Sequence, residues 1–270
     1  MSTIPSSSQT RRLSENERTQ YRVDGYVSRL PLFGADAVGE IQRRFFELCD
    51  LLPAGTEISR VNCWHKANLW VYNLSRTPSL LDYVADLAGE NFFLWGAQFF
   101  CKFPEDGTVV PWHQDAQYWP LAPRKAVTAW IAFFDTDREN AAMQVVRGTH
   151  LTGAVEHHAV EGEHYILSQA IDPASIDPDQ VVSLELRAGE ISLHDDGLMH
   201  GSGPNSTDRI RAGLALRFSP CDVKCDMAVW PNFEAYPVRG TDEFRYNPEG
   251  KIPSGDGFPT DAFQHSSDFE

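Results

Sequence analysis

His113 and Asp115 stand two residues apart in Pro111-Trp112-His113-Gln114-Asp115. That spacing puts both side chains on one side of an extended backbone, because side chains alternate with period two. An imidazole beside a carboxylate suits a borderline-to-hard divalent metal, and a second histidine from elsewhere completes a two-histidine, one-carboxylate facial triad. Such a triad is the usual holder of non-heme Fe(II) with open coordination positions. His194 and His200 compete for the third place. His194-Asp195-Asp196 is itself a His-x-Asp pair, so a local set of His194, Asp196 and His200 is the rival, although it leaves the first pair unexplained. His157, His158 and His164 fall in a stretch with Glu161 and Glu163 that reads as a surface insertion (157–174) without a ligand role. Cys221-x-x-x-Cys225 has the form of half a zinc site, but no second cysteine pair completes it.

Arg211 lies eleven residues beyond His200 and opens the strand-like run Arg211-Ala212-Gly213-Leu214-Ala215-Leu216-Arg217. By parity Arg211, Gly213 and Ala215 share one face, so a cation sits beside two small residues with room for a ligand carrying a charged end. A guanidinium is the natural bidentate clamp for a carboxylate. Arg209 and Arg217 read as surface arginines.

The elements that position these residues fall into two textures. Residues 1–13 read as a disordered tail. Ser14, with Glu15 and Glu17 behind it, starts a helix ending near Asp24-Gly25, and Tyr26–Leu32 reads as a strand. Asp36 caps a second helix to about Leu52, with Val38, Ile41, Phe45, Leu48 and Leu52 on its core face. Pro78–Ala88 is a third helix, Pro in its first turn and Gly89 past its end. Between them, 58–75 mixes tryptophans, amides and cations without a clean period and reads as a packed loop or a pocket wall. After Gly89 come short β-branched or aromatic runs: 92–103, 127–134, 143–146, 181–186, 191–194 and 212–218. Helices followed by strands predict an α+β, mainly β chain whose core is a double-sheet barrel. The expected division is one domain over 14–229 (helical part 14–90, barrel 91–220) and a Pro- and Gly-rich extension over 230–270 that packs on the barrel.

The order Pro111-Trp112-His113-Gln114-Asp115, His200-Gly201-Ser202-Gly203, then Arg211 resembles the phytanoyl-CoA dioxygenase family. Arg147-Gly148-Thr149-His150, Gly189-Glu190 before a strand and Asp24-Gly25-Tyr26 after the first helix match as well. The resemblance covers about residues 14 to 220. It implies a double-stranded β-helix (jelly-roll, cupin-like) core and an Fe(II)- and 2-oxoglutarate-dependent oxygenase that consumes O2 and releases succinate and CO2. It also implies that His113, Asp115 and His200 bind iron, and that Arg211, assisted by Ser202, holds the distal carboxylate of 2-oxoglutarate. Trp130 matches a position lining the cosubstrate site, Lys102 is a further candidate at that end of the barrel, and His150 is structural. Halogenating relatives carry a small residue in place of the carboxylate, so Asp115 points to hydroxylation or a related oxidation.

For the substrate, Asn62, Trp64, Lys66, Asn68, Gln98, Gln117 and Tyr118 are the candidate contacts, with Trp70, Gln114 and Trp119 beside them. Their mixture favours a small polar metabolite: the aromatics suit an ammonium group, the lysines a carboxylate or phosphonate. A formal net charge of -15 argues against nucleic acid, an anionic membrane or a free polyanionic thioester as partner. Five cysteines without a scaffold pattern and a Ser-rich start lacking an apolar core predict a cytoplasmic protein with no membrane span. The 230–270 extension covers the barrel mouth or forms a homo-oligomer contact. The competing function is a cupin-like metal-binding protein, non-enzymatic or independent of 2-oxoglutarate, which needs no carboxylate clamp.

Overall fold

The computed structural model describes residues 11–260. The first ten residues of the expected tail and the last ten of the expected extension lie outside them. Residues 11–13 do not behave as a tail: Leu13 is buried and its amide donates to Asp86 Oδ2 at 2.7 Å, while Arg12 pairs with Asp86 at 3.0 Å.

Helix α1 (Glu15–Asp24) opens on a capping box, with Glu17 Oε2 accepting from the Ser14 amide at 2.6 Å, and closes on Gly25 at φ 84. Strand β1 (Tyr26–Pro31) follows, then α2 (Ala35–Asp50). The cap of α2 is Gly34; Asp36 sits inside its first turn, where it favours the helix dipole without capping. Ile41, Phe45 and Leu48 form the buried face of α2, with Val38 and Leu52 packed at its margin. The stretch read as a loop or pocket wall holds two short helices, α3 (Trp64–Ala67) and α4 (Leu69–Leu74), separated by Asn68, whose Oδ1 caps α4 by accepting from Val71 N at 3.1 Å. Helix α5 (Pro78–Ala88) carries Pro in its first turn and ends at Gly89.

The barrel strands are β2 (Phe92–Lys102), β3 (Val110–His113), β4 (Leu121–Ala122), β5 (Val127–Ala132), β6 (Gln144–Val146), β7 (His158–Ala159), β8 (Gln169–Ala170), β9 (Val181–Ser183), β10 (Glu190–Asp195), β11 (His200–Ser202), β12 (Arg211–Pro220), β13 (Lys224–Cys225) and β14 (Tyr236–Arg239). With β1 they build a six-stranded sheet, β1-β10-β5-β12-β2-β14, a four-stranded sheet, β3-β11-β6-β9, and two two-stranded ribbons, β13-β4 and β7-β8; the strands within each pair antiparallel. This is the expected jelly-roll. Its large sheet is buried on both faces, which explains why β2 and β12 are almost continuously apolar. Ala97, Phe99, Ile131, Leu193, Leu214 and Leu216 pack outward against the helices. The alternate residues face the small sheet. In register they form two rows, Gln98–Ala215–Trp130–Ser192 and Gly96–Arg217–Thr128–His194.

The extension is stitched to the barrel. β14 adds an edge to β2, and Asp256 Oδ1 accepts from the Trp70 amide at 2.8 Å. The 157–174 insertion is docked too: Val109 N donates to His164 O at 2.7 Å and Ile171 N to Trp112 O at 2.7 Å. No helix among the described residues is long and apolar enough to cross a membrane.

Candidate metal centre

The two short strands of the small sheet bring the ligand set together. β3 and β11 are antiparallel with His113 directly opposite His200, their rings 4.1 Å apart. The chain turns after β3, and Asp115 enters the same space: one ligand atom each from His113, Asp115 and His200 lies within 4.8 Å of the others, all three residues buried. Asp115 Oδ1 is 3.6 Å from His113 Nε2 and 4.0 Å from His200 Nε2. Each histidine is oriented by the carbonyl two residues before it, with Nδ1 2.8 Å from Pro111 O and 2.9 Å from Leu198 O. A carbonyl accepts only, so Nδ1 carries the proton in both rings and each Nε2 presents its lone pair to the centre. Burial, with the neighbouring imidazole of His113, pushes the His200 pKa well down and keeps it neutral. Asp115 is held well below the usual carboxylate range: burial opposes its charge, and contacts with His113 and His194 outweigh that cost.

The rival local triad is not formed. Asp196 is buried, its Oδ2 accepts from the Ala126 amide at 2.8 Å, and burial raises its pKa to about 7. His194 is nonetheless at the centre. Its Nε2 lies 3.6 Å from Asp115 Oδ2, its ring 4.7 Å from that of His200, and neither ring nitrogen has a hydrogen-bond partner. Thr128, its neighbour in register, donates from Oγ1 to Asp115 Oδ2 at 3.1 Å.

Beside the ligands a narrow cleft runs between the sheets, lined by Thr128, Trp130, His194, Ser202 and Arg211 among others. Arg211 is buried, lies over the Trp130 ring at 4.6 Å, and makes one long contact, Nη1 to Phe100 O at 3.3 Å. Gly213 makes that stacking feasible: a Cβ there would sit 2.2 Å from Trp130 Cζ2. Besides the two ring nitrogens of His194 and Nε of Arg217, three buried polar atoms of this cleft have no partner, namely Ser202 Oγ, Trp130 Nε1 and Arg211 Nε. Orphans of this kind are rare in proteins, and three around one cleft fit a bound polar molecule with acceptor oxygens. Lys102 is different. It pairs with Arg211 across β2 and β12, but Nζ is spent on the carbonyls of Thr108 (2.7 Å), Ser202 (3.3 Å) and Gly203, away from the cleft. Burial and Arg211 lower its pKa to about 7.

A wider cavity of about 430 Å³ opens on the other side of His113 and Asp115. Of the expected substrate contacts, Asn62, Gln98 and Tyr118 line it, with Trp119. The others do not. Trp64 is fully buried against Phe99 and Phe258, its ring 5.6 and 5.7 Å from theirs. Asn68 caps α4 and donates to Gly257 O at 3.2 Å. Lys66 donates to Asn232 O at 3.0 Å and pairs with Glu234 at 3.0 Å. Gln117 is exposed, 3.5 Å from Gln169 Oε1. Gln114 is consumed by Gly153 O, Gly197 O and the Val155 amide. Trp70 is core, under Arg44.

Sequence reasoning missed two parts of this cavity. The insertion supplies a wall through Val160, Tyr165, Ile166 and Leu167. Arg217, read as a surface residue, is 8% exposed and lines the cavity. Its signal was available: 217 has the parity of 211, 213 and 215.

Two antiparallel sheets enclosing a buried two-histidine, one-carboxylate cluster define a cupin-like fold with a candidate metal site. The sequence profile of the phytanoyl-CoA dioxygenase family (PhyH) matches residues 21–213, and the chain belongs to that family. It is 29% identical over 161 residues to a probable alpha-ketoglutarate-dependent hypophosphite dioxygenase of Stutzerimonas stutzeri, an alignment covering 59% of this chain and 54% of that one. It is 24% identical over 239 residues to the peroxisomal phytanoyl-CoA dioxygenase of Mus musculus, covering 79% and 70%. The chain thus spans only about half the length of the first of these relatives. Among solved structures it is similar to the apo form of the non-heme monooxygenase ThoJ (TM-score 0.73, 28% identity, covering 93% of this chain and 94% of that one).

Proposed function

We propose that this chain is an Fe(II)- and 2-oxoglutarate-dependent oxygenase that hydroxylates a C–H bond of a small polar metabolite. The observation that carries the reading is the juxtaposition of the convergent donors of His113, Asp115 and His200 with three orphaned polar atoms, Ser202 Oγ, Trp130 Nε1 and Arg211 Nε. When bound, Fe(II) with 2-oxoglutarate and O2 supplies an oxidant able to attack an unactivated C–H bond, with succinate and CO2 as the cosubstrate's products.

The chain's own residues bind and orient. His113 and His200 offer Nε2, fixed by their carbonyl contacts, and Asp115 offers Oδ1. The Thr128 hydroxyl holds Oδ2 and so sets the plane of the carboxylate. Arg211 receives the distal carboxylate of the cosubstrate, with Ser202 Oγ and Trp130 Nε1 as further donors. Asp115 retains the carboxylate, which favours hydroxylation over halide transfer. The compounds for which these relatives are named, hypophosphite and phytanoyl-CoA, are chemically remote from one another, so family membership does not carry a substrate with it. Five free thiols, among them three buried, support a reducing cytoplasmic setting.

The test is a screen of amines, amino acids, phosphonates and acyl thioesters for substrate-stimulated release of succinate from 2-oxoglutarate. The reading expects release that requires Fe(II) and O2 and disappears in Asp115→Ala. Release that survives that substitution contradicts it.

A further inference from the structure

Arg217 is a buried cation with no direct ion-pair partner among the described residues; the carboxylate that acts on it is Asp115 of the ligand cluster, through space. It donates from Nη2 to Gln98 Oε1 at 3.1 Å, and Nε has no partner. Gln98 is itself fixed, since its Nε2 donates to Ser59 O at 2.9 Å and so directs Oε1 at the guanidinium. Two indoles complete the cradle: Arg217 Cζ lies 5.3 Å from the Trp119 ring and 5.9 Å from the Trp95 ring. Gly96, opposite in register, leaves the space the side chain occupies, because a Cβ there would stand 2.9 Å from Arg217 Cδ. Thus Arg217 repeats the plan of Arg211 on the same face of β12, an arginine laid over an indole with a glycine making room. Both border the cleft beside the ligands, but only Arg217 also lines the wide cavity in front of them.

The cavity's charge agrees. The chain carries 38 acidic against 23 basic residues, yet among the described residues the only carboxylate lining this cavity is Asp115, a member of the ligand cluster, while the cations are Arg60 and Arg217. Arg60 is already paired with Glu57 at 3.2 Å. Trp95 and Trp119 are already occupied by the chain's own guanidinium, which takes the position over their rings that a substrate's ammonium group would need. Glu234 stands near the rear of the cradle and is engaged by Lys66.

We propose that Arg217, positioned by Gln98, anchors the substrate through an anionic oxygen group, a carboxylate or a phosphonate, and so presents the adjoining carbon to the His113–Asp115–His200 cluster. The proposal rests on the oxygenase reading for its reaction and adds the substrate's chemical class. A planar guanidinium fork pairs with either oxyanion.

The experiment uses protein loaded anaerobically with Fe(II) and 2-oxoglutarate, whose visible chelate band is recorded first. Propionate and methylphosphonate are then titrated in, each beside its neutral counterpart, propionamide and dimethyl methylphosphonate. Indole fluorescence is the readout, since Arg217 lies over Trp95 and Trp119. Saturable binding of at least one anion and of neither neutral compound is expected, and the tighter anion identifies the substrate's oxyanion. R217Q should weaken it by about tenfold or more while leaving the chelate band in place. If R217Q does not fold, R217K, which keeps the charge without the fork, must still weaken binding severalfold. A chelate band with no anion binding, or equal binding by wild type and R217Q, overturns the inference while sparing the oxygenase reading. So does an anion that bleaches the band, since it would be occupying the Arg211 end. Absence of the band in wild type instead counts against the oxygenase reading.

Discussion

Replacing Arg211 by alanine tests the cosubstrate end of the cleft. Arg211 is 2% exposed, and its one protein hydrogen bond is the 3.3 Å contact to Phe100 O. Burial lowers its pKa only to about 10, so the guanidinium stays charged at neutral pH. A buried charge with so little compensation is costly, and a ligand carboxylate recovers that cost. A hydrogen bond to a charged group is worth about 1.5 to 3 kcal/mol, which corresponds to roughly ten- to 150-fold in affinity. Lys102 lies directly across the sheet but its Nζ is held by backbone carbonyls, so it does not replace the lost fork. Arg211→Ala is therefore expected to raise the half-saturating 2-oxoglutarate concentration by roughly ten- to 150-fold. Fe(II) affinity without cosubstrate should stay within about twofold, because Arg211 is not among the ligands. Isothermal titration with each ligand separately measures both. An unchanged 2-oxoglutarate affinity would refute the clamp and favour the cupin-like reading that needs none.

Three further outcomes follow from named contacts. Gly213→Ala places a Cβ 2.2 Å from Trp130 Cζ2; overpacking of this kind costs about 1 to 3 kcal/mol, and thermal denaturation should show a melting point lower by several degrees. Asp196 has a folded pKa raised to about 7 from 3.8 by burial, so its contribution is fully present below pH 3.8 and is lost as pH rises through 7. Asp196→Asn, still able to accept from the Ala126 amide, should flatten the decline in melting temperature between pH 5 and 8; an unchanged slope would contradict this. His200→Ala removes one of three convergent donors and should lower Fe(II) affinity by more than tenfold in a chelator competition assay, whereas His194→Ala should not.

The parts of this structure legible in the sequence are those with a local physical signal. Ser14, Gly25, Pro78 and Gly89 mark helix ends through capping and left-handed or extended backbone, and the structure places them there. β2 and β12 are long and apolar enough to announce themselves. The candidate ligand set was readable from the His113-x-Asp115 motif and the distinctive spacing from His200 to Arg211, although β3 ends at His113 and a turn, not strand parity, brings Asp115 beside it. What failed was nonlocal. β3 and β11 are four and three residues long, too short for periodicity, although they carry both histidines. Trp64 and Asn68 were expected in the pocket because tryptophan and amide compositions look alike in a pocket wall and in a capped helix pair. Lys102 has inward parity, yet three carbonyls capture its ammonium group. Arg217 was misplaced because charge suggests the surface and outweighed the inward parity it shares with Arg211; its pairing with Gly96 and Thr128 and its place over the indoles account for its burial.

The central claim is that His113, Asp115 and His200 hold Fe(II) in a form that accepts 2-oxoglutarate as a chelate. Anaerobic titration of the protein with Fe(II) and then 2-oxoglutarate tests this most directly. A visible charge-transfer band that saturates at one equivalent of each and is weakened or altered in Asp115→Ala is the predicted result. A wild-type protein that binds Fe(II) but develops no band on adding 2-oxoglutarate would contradict the account.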